Sequence, residues 1–153
     1  MFKQISIGSR HTLYLTNNRE VYAFGFNDQG QLGLGDYIDR MIPTLIPTLH
    51  NIVQISAGKN HSLALTQDNI IYAWGNNEFS QLGISATEHM YLRNIPTQMV
   101  KSCSMLVIEI IAENNHSIVI MNDRSKYFCG LLKISSVNIL TLVNSRTEGQ
   151  SKL

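Results

Sequence analysis

Three histidines recur along the chain, His11, His61 and His116, at intervals of 50 and 55 positions. Imidazoles invite a metal or acid–base reading, because the neutral ring ligates metals and titrates near neutrality. A metal site needs its ligands to converge on one point at about 2.0–2.2 Å, with thiolate or carboxylate help. Residues at equivalent places in successive repeats lie apart, so the favoured role is structural: each imidazole satisfies neighbouring polar groups. The glycine-bearing loops Asn27–Gly33 and Asn77–Gly83 suggest phosphate cradles. Neither is followed by Lys-Ser/Thr or set between a strand and a helix, as a phosphate-binding loop requires. Asp28, Asp36, Asp39, Glu78 and Glu88 show no paired spacing for general acid–base work. Cys103 and Cys129 are the only cysteines, which makes neither a zinc signature nor a disulfide framework. These residues predict no catalytic site, metal or cofactor, and hence no enzyme.

Bulk properties narrow the partners. The 153 residues are 44% hydrophobic and 15% charged, with a formal net charge of +1. That is the composition of a globular domain. Without clustered Lys and Arg, nothing points to nucleic acid or an anionic membrane. The longest apolar run, Met105 to Ala112, is interrupted by Glu109 and is too short to span a bilayer. The N-terminus has no secretory pattern. The expectation is an intracellular protein, with cytoplasm and nucleus both open.

The elements behind these residues repeat. Between 11–33 and 61–83, eleven of twenty-three positions are identical without a gap, and a fixed period of this length signals a repeat architecture. The shared residues include His11 and His61, Tyr22 and Tyr72, Gly25 and Gly75, Asn27 and Asn77, Gln31 and Gln81, and Gly33 and Gly83. Phe24 stands where the second copy has Trp74. Each copy reads as a β-branched strand ending at Gly8 or Gly58, a second strand from the histidine, a polar turn, a return strand and a loop. Met41–Pro47 and Ile95–Val100 read as outer strands preceding the next unit, their prolines suited to an edge. A third copy is worn: His116, Ser117, Asp123, Tyr127 and Gly130 persist, Glu113 replaces the glycine, and the Gln-Leu-Gly loop is missing. The units are placed at about 2–33, 43–83 and 95–130. Residues 131–153 are read as a degenerate extra strand, able to pair with the first unit's open edge, and a polar tail.

The segment from Gly58 to Gly83, with its His-Ser-Leu-Ala-Leu-Thr, Tyr-Ala-Trp-Gly and Gln-Leu-Gly series, resembles the repeat of the regulator of chromosome condensation family. Ser80 stands for the family's first loop glycine, which the first copy keeps as Gly30. The resemblance covers roughly positions 2–130 and implies an all-β propeller, usually of about seven blades. It also implies a mixed range of activities: guanine nucleotide exchange on small GTPases, chromatin binding, or service as an adaptor module. This chain departs from that pattern. It carries two good four-stranded antiparallel blades and a degenerate third, whereas a closed ring needs at least about four.

The expected fold is therefore a partial β-propeller, with Tyr22, Phe24, Tyr72 and Trp74 as inter-blade core. The expected function is non-catalytic protein–protein interaction. The alternatives are a guanine nucleotide exchange factor for a small GTPase, or a fragment of a larger propeller protein. Self-association that completes a ring is a further option. Loops on a rigid scaffold acquire binding activity, and aromatic residues with Arg are the usual anchors. That singles out Asp36, Tyr37 and Arg40 in the first inter-unit loop, and Glu88, Tyr91 and Arg93 in the second.

Overall fold

The computed structural model describes residues 2–84, 91–100, 104–131, 133, 134, 137 and 138. Three antiparallel sheets follow one another along the chain. The first blade is β1 (Phe2–Ile7), β2 (His11–Thr16), β3 (Val21–Gly25) and β4 (Arg40–Leu45), paired in that order. The second repeats it with β5 (Ile52–Ala57), β6 (His61–Thr66), β7 (Ile71–Asn76) and β8 (Leu92–Gln98). The third contains β9 (Val107–Glu113), β10 (His116–Met121) and β11 (Lys126–Gly130) among the described residues. A short hairpin, β12 (Lys133–Ile134) with β13 (Val137–Asn138), follows. The sheets form no closed ring, in keeping with a partial propeller.

Local chemistry sets the hairpins. In the three β2-type to β3-type turns, Thr16 N–H bonds Glu20 C=O at 3.0 Å, Thr66 bonds Ile70 at 2.9 Å and Met121 bonds Ser125 at 2.9 Å. Each turn puts a residue in the left-handed region: Arg19, Asn69 and Arg124, at φ 64°, 66° and 68°. The return strands end at Gly25, Gly75 and Gly130, with φ of 112°, 100° and 109°. A side chain there would also collide with backbone, since a Cβ on Gly25 would lie 2.5 Å from Arg10 C=O. Only glycine meets both conditions.

Burial shows how the blades stack. Side chains alternate between the two faces of a strand. In β2 and β10 alternate residues are buried, whereas all six residues of β6 are buried. The middle strand is covered on both faces; its counterparts are covered on one. Two cores result. One joins blades 1 and 2 through Leu13, Leu15, Val21, Ala23, Ile55 and Trp74. The other joins blades 2 and 3 through Leu63, Leu65, Ile110, Val119, Met99 and Met121.

The sheets correct three expectations. Each outer strand pairs with the hairpin before it, through Tyr22↔Leu45, Ala23↔Thr44 and Gly25↔Arg40, and equivalently through Tyr72↔Gln98. The sheets therefore group 2–45, 52–98 and 107–130, because the Gln-Leu-Gly loop returns the chain along the strand it has just left. The first sheet thus has its own outer strand, which removes the reason for pairing 131–143 with it. Within that stretch β12 and β13 pair with each other, and most of the rest lies outside the described residues. Finally, Tyr72 and Trp74 pack in the inter-blade core, but Tyr22 and Phe24 lie on the opposite face of their sheet and are half-buried. There Phe24 stacks on Tyr14, ring centroids 5.6 Å apart.

Candidate interaction surface

The repeated polar residues converge on the seams between blades. His11 Nε2 lies 2.8 Å from Ser62 Oγ on the next blade, and Ser62 Oγ donates to Gln31 C=O at 2.9 Å. Trp74 Nε1 donates to the same carbonyl at 2.9 Å. A serine has one hydroxyl hydrogen. Ser62 commits it to Gln31, so His11 must donate from Nε2–H, which leaves Nδ1 bare, with no partner among the described residues. The second seam repeats the chain of contacts with His61, Ser117 and Gln81, at 3.0 and 2.7 Å. Cys129 replaces the tryptophan there; burial pushes its thiol up to about 11. Burial likewise lowers the His11 pKa to about 4. His61 falls to about 3, from burial and then from the charges of His11 and His116. Both rings are neutral fasteners across the working pH range.

A second set of fasteners lies on the inner strands, ahead of the similar stretches 11–33 and 61–83. The Gln4 side-chain amide donates to Ile55 C=O at 2.8 Å while its oxygen accepts from Ile55 N–H at 3.0 Å. Gln54 contacts Ile110 C=O at 3.4 Å and accepts its N–H at 3.0 Å. Ser6 Oγ accepts Ala57 N–H at 2.9 Å, and Ser56 Oγ accepts Ala112 N–H at 2.8 Å. The signal was legible: Gln-Ile-Ser, one residue, then Gly occurs at 4–8 and again at 54–58. Gly8 and Gly58 follow from the same crowding. A Cβ on Gly8 would sit 2.4 Å from Gly58 C=O, and one on Gly58 2.4 Å from its own His61 ring.

The repeat-defining loop residues organise the loops. Asn27 Oδ1 accepts Leu32 N–H at 2.9 Å, and Asn77 Oδ1 accepts Leu82 N–H at 3.1 Å. Gln31 Oε1 accepts Gln29 N–H at 2.8 Å, and Gln81 Oε1 accepts Phe79 N–H at 2.9 Å. Each loop thereby presents its Gln carbonyl to the next blade. Gly33 abuts Trp74, and Gly83 abuts Cys129.

The candidate partner residues fall into two groups. Asp36 and Arg40 form an ion pair at 2.6 Å, and Asp36 Oδ1 accepts Ile38 N–H at 3.0 Å. The Ile38 amide, then the Arg40 guanidinium, hold the Asp36 carboxyl below its ordinary range. Asn27 ties the loop down through Asp36 C=O at 2.9 Å and Asp39 at 2.7 Å. Tyr37 stands out from this braced turn, 47% exposed. In the second group Tyr91 is exposed, while Arg93 is half-buried in β8 opposite Gly75, the place Arg40 holds opposite Gly25. Glu88 lies outside the described residues. Gly35 N–H bonds Asn94 C=O at 2.8 Å, which fixes the first loop against the second blade.

This order of hairpin, Asn-anchored loop and histidine seam, found twice, decides the family. Two descriptions of the Regulator of chromosome condensation (RCC1) repeat match, one at residues 20–65 and 68–120, the other at 2–31 and 52–81. The chain belongs to the RCC1 repeat family. It is 31% identical over 129 residues to the mouse Regulator of chromosome condensation, which covers 83% of this chain and 30% of that protein. A 51-residue stretch is 47% identical to Ras guanine nucleotide exchange factor C of Dictyostelium discoideum, covering 33% of this chain and 4% of that protein. Among solved structures, yeast RCC1 (Prp20) bound to Kap60 superposes with a TM-score of 0.77 at 31% identity, over 86% of this chain and 30% of that one. A second Prp20 structure, described with its binding properties to Gsp1p and histones, gives 0.77 at 30% identity, over 86% of this chain and 31% of that one. The chain thus spans about a third or less of the RCC1 relatives it matches. No described helix is long and apolar enough to cross a membrane.

Proposed function

We propose that this chain is a non-catalytic protein–protein interaction module. The observation that supports this is the use made of its chemistry-bearing residues. His11, His61, Gln31 and Gln81 are all consumed in holding blades together, while the loop at 34–41 is braced from below and lifts Tyr37 into solvent. Rigid scaffolds that present an aromatic beside an Arg–Asp pair have the makeup of a binding site. Capture of a protein partner by the immobilised chain tests the reading. Tyr37→Ala and Tyr91→Ala are expected to weaken capture at least about tenfold, as loss of an interface anchor does. Unchanged capture by both would sink the loop surface.

A second reading, guanine nucleotide exchange on a small GTPase, is favoured by what the relatives are called. The Dictyostelium relative is named a Ras guanine nucleotide exchange factor, and one Prp20 structure is described with its binding properties to Gsp1p. A nucleotide-release assay on a panel of small GTPases decides between the readings. The interaction-module reading expects no acceleration at micromolar chain; acceleration would install the exchange reading in its place.

A further inference from the structure

The two ends of the blade stack are not equivalent. Each seam is built by a supplying side and an accepting side. The supplying side contributes the Gln and Ser of the inner strand, the glycine that permits close approach, the histidine and the loop Gln carbonyl. The accepting side contributes main-chain groups of the next inner strand and a hydroxyl at the start of its second strand. Blade 1 retains the accepting side. The register of β1 on β2 repeats that of β5 on β6: Ile5↔Tyr14 matches Ile55↔Ala64, and Ile7↔Thr12 matches Ala57↔Ser62. The N–H groups of Ile5 and Ile7 and the C=O of Ile5 therefore point away from β2, as the groups of Ile55 and Ala57 do where they receive Gln4 and Ser6. Thr12 offers its hydroxyl at the place of Ser62. Ile5 and Ile7 are 51% and 75% exposed, beside the half-buried stack of Tyr14 on Phe24.

Blade 3 has lost the supplying side. Glu109 stands for Gln54, and a carboxylate cannot donate to the carbonyl that glutamine serves. Ile111 stands for Ser56 and has no acceptor. Glu113 stands for Gly58, placing a Cβ where the corresponding atom on Gly8 would meet the next blade's carbonyl at 2.4 Å. His116 Nε2 lies 3.5 Å from Glu113 Oε2 instead of reaching outward to a serine. The Gln-Leu-Gly loop is absent after Gly130.

We infer that the accepting face of blade 1 docks the inner hairpin of a further propeller blade, one bearing Gln-x-Ser-x-Gly-x-x-His, and that blade 3 cannot fill this role for a second copy of the chain. The inference rests on the interaction-module reading and names the partner's chemistry. It also excludes a ring completed by self-association, because such a ring needs a supplying side that this chain lacks.

The test restores what is missing. Sedimentation equilibrium of the wild-type chain should show a monomer. The Glu109→Gln/Ile111→Ser/Glu113→Gly variant should associate head to tail, at least about tenfold more tightly, as roughly three recovered hydrogen bonds and a removed clash imply. Adding Ile7→Lys on the accepting face should abolish that gain. A folded triple variant as monomeric as the wild type, or a gain that survives Ile7→Lys, overturns the inference. So does a wild-type ring. Should the triple variant not fold, Glu113→Gly alone should give a smaller gain with the same reversal, and its absence is equally fatal. Capture of a partner by the wild-type chain that Ile7→Lys leaves intact sinks this inference while the interaction module stands. Absence of any partner capture by the wild-type chain sinks the interaction module and this inference with it.

Discussion

The seam between blades 1 and 2 and the seam between blades 2 and 3 share two sets of polar fasteners. Both have the histidine–serine–carbonyl relay and the two-point glutamine clamp. The first adds the fully buried Trp74, whose N–H shares the Gln31 carbonyl with Ser62. The second has Cys129 in that place, and Met99 and Met121 fill its core. Methionine adapts to irregular space where a rigid ring is missing. The difference teaches that the repeat's polar grammar sets how blades are joined, while the aromatic sets how tightly.

Truncating the aromatic should break the comparison most sharply. Trp74→Ala is expected to cost about 3–5 kcal/mol, measured by denaturant unfolding, whereas Cys129→Ala should cost about 1 kcal/mol. Equal losses would mean that the two seams are packed alike. Acid comes next. Unfolded, each imidazole takes up a proton near pH 6.5; folded, His11 resists until about 4 and His61 until about 3. Below 6.5 the unfolded chain binds more protons, so the stabilisation is complete above that pH and lost as pH falls toward the folded values. The loss should reach several kcal/mol, at about 1.4 kcal/mol per pH unit per histidine. Melting temperature against pH reads it, and a flat profile from 6.5 to 4 would contradict neutral buried rings.

Single fasteners should matter less. Ser62→Ala and Ser117→Ala each strip a buried histidine N–H and a carbonyl of their shared partner, at a cost of about 1–3 kcal/mol. The cost should be larger at Ser117 if Trp74 still occupies the Gln31 carbonyl at the first seam. Smallest is Tyr37→Ala, which touches an exposed side chain on a braced loop and should shift stability by less than about 0.5 kcal/mol. A larger shift would show that the tyrosine serves the fold.

The hairpins and turns were legible because their causes are local: alternation, turn formers, and glycines at fixed offsets. Gln4 and Ser6 recur as Gln54 and Ser56 but lie ahead of the most similar stretch at 11–33, and their role depends on a blade far away in sequence. The grouping of β4 and β8 with the preceding sheets does not follow from the sequence. Proline marked them as edge strands but does not say which edge. Tyr22 and Phe24 look like Tyr72 and Trp74 in sequence; whether they are buried depends on what lies across the face. The roles of Asp36 and Arg40 changed for a similar reason, since an ion pair four residues apart braces its own loop before it meets a partner.

Residue-resolved amide hydrogen exchange tests the central claim most directly. Ile55 and Ile110 sit at the same strand position as Ile5, yet only the first two receive a glutamine from the neighbouring blade. The account predicts that the Ile55 and Ile110 amides exchange slowly and that Ile5 exchanges orders of magnitude faster, though all three lie in strands. Comparable protection at all three would contradict an open accepting face on blade 1.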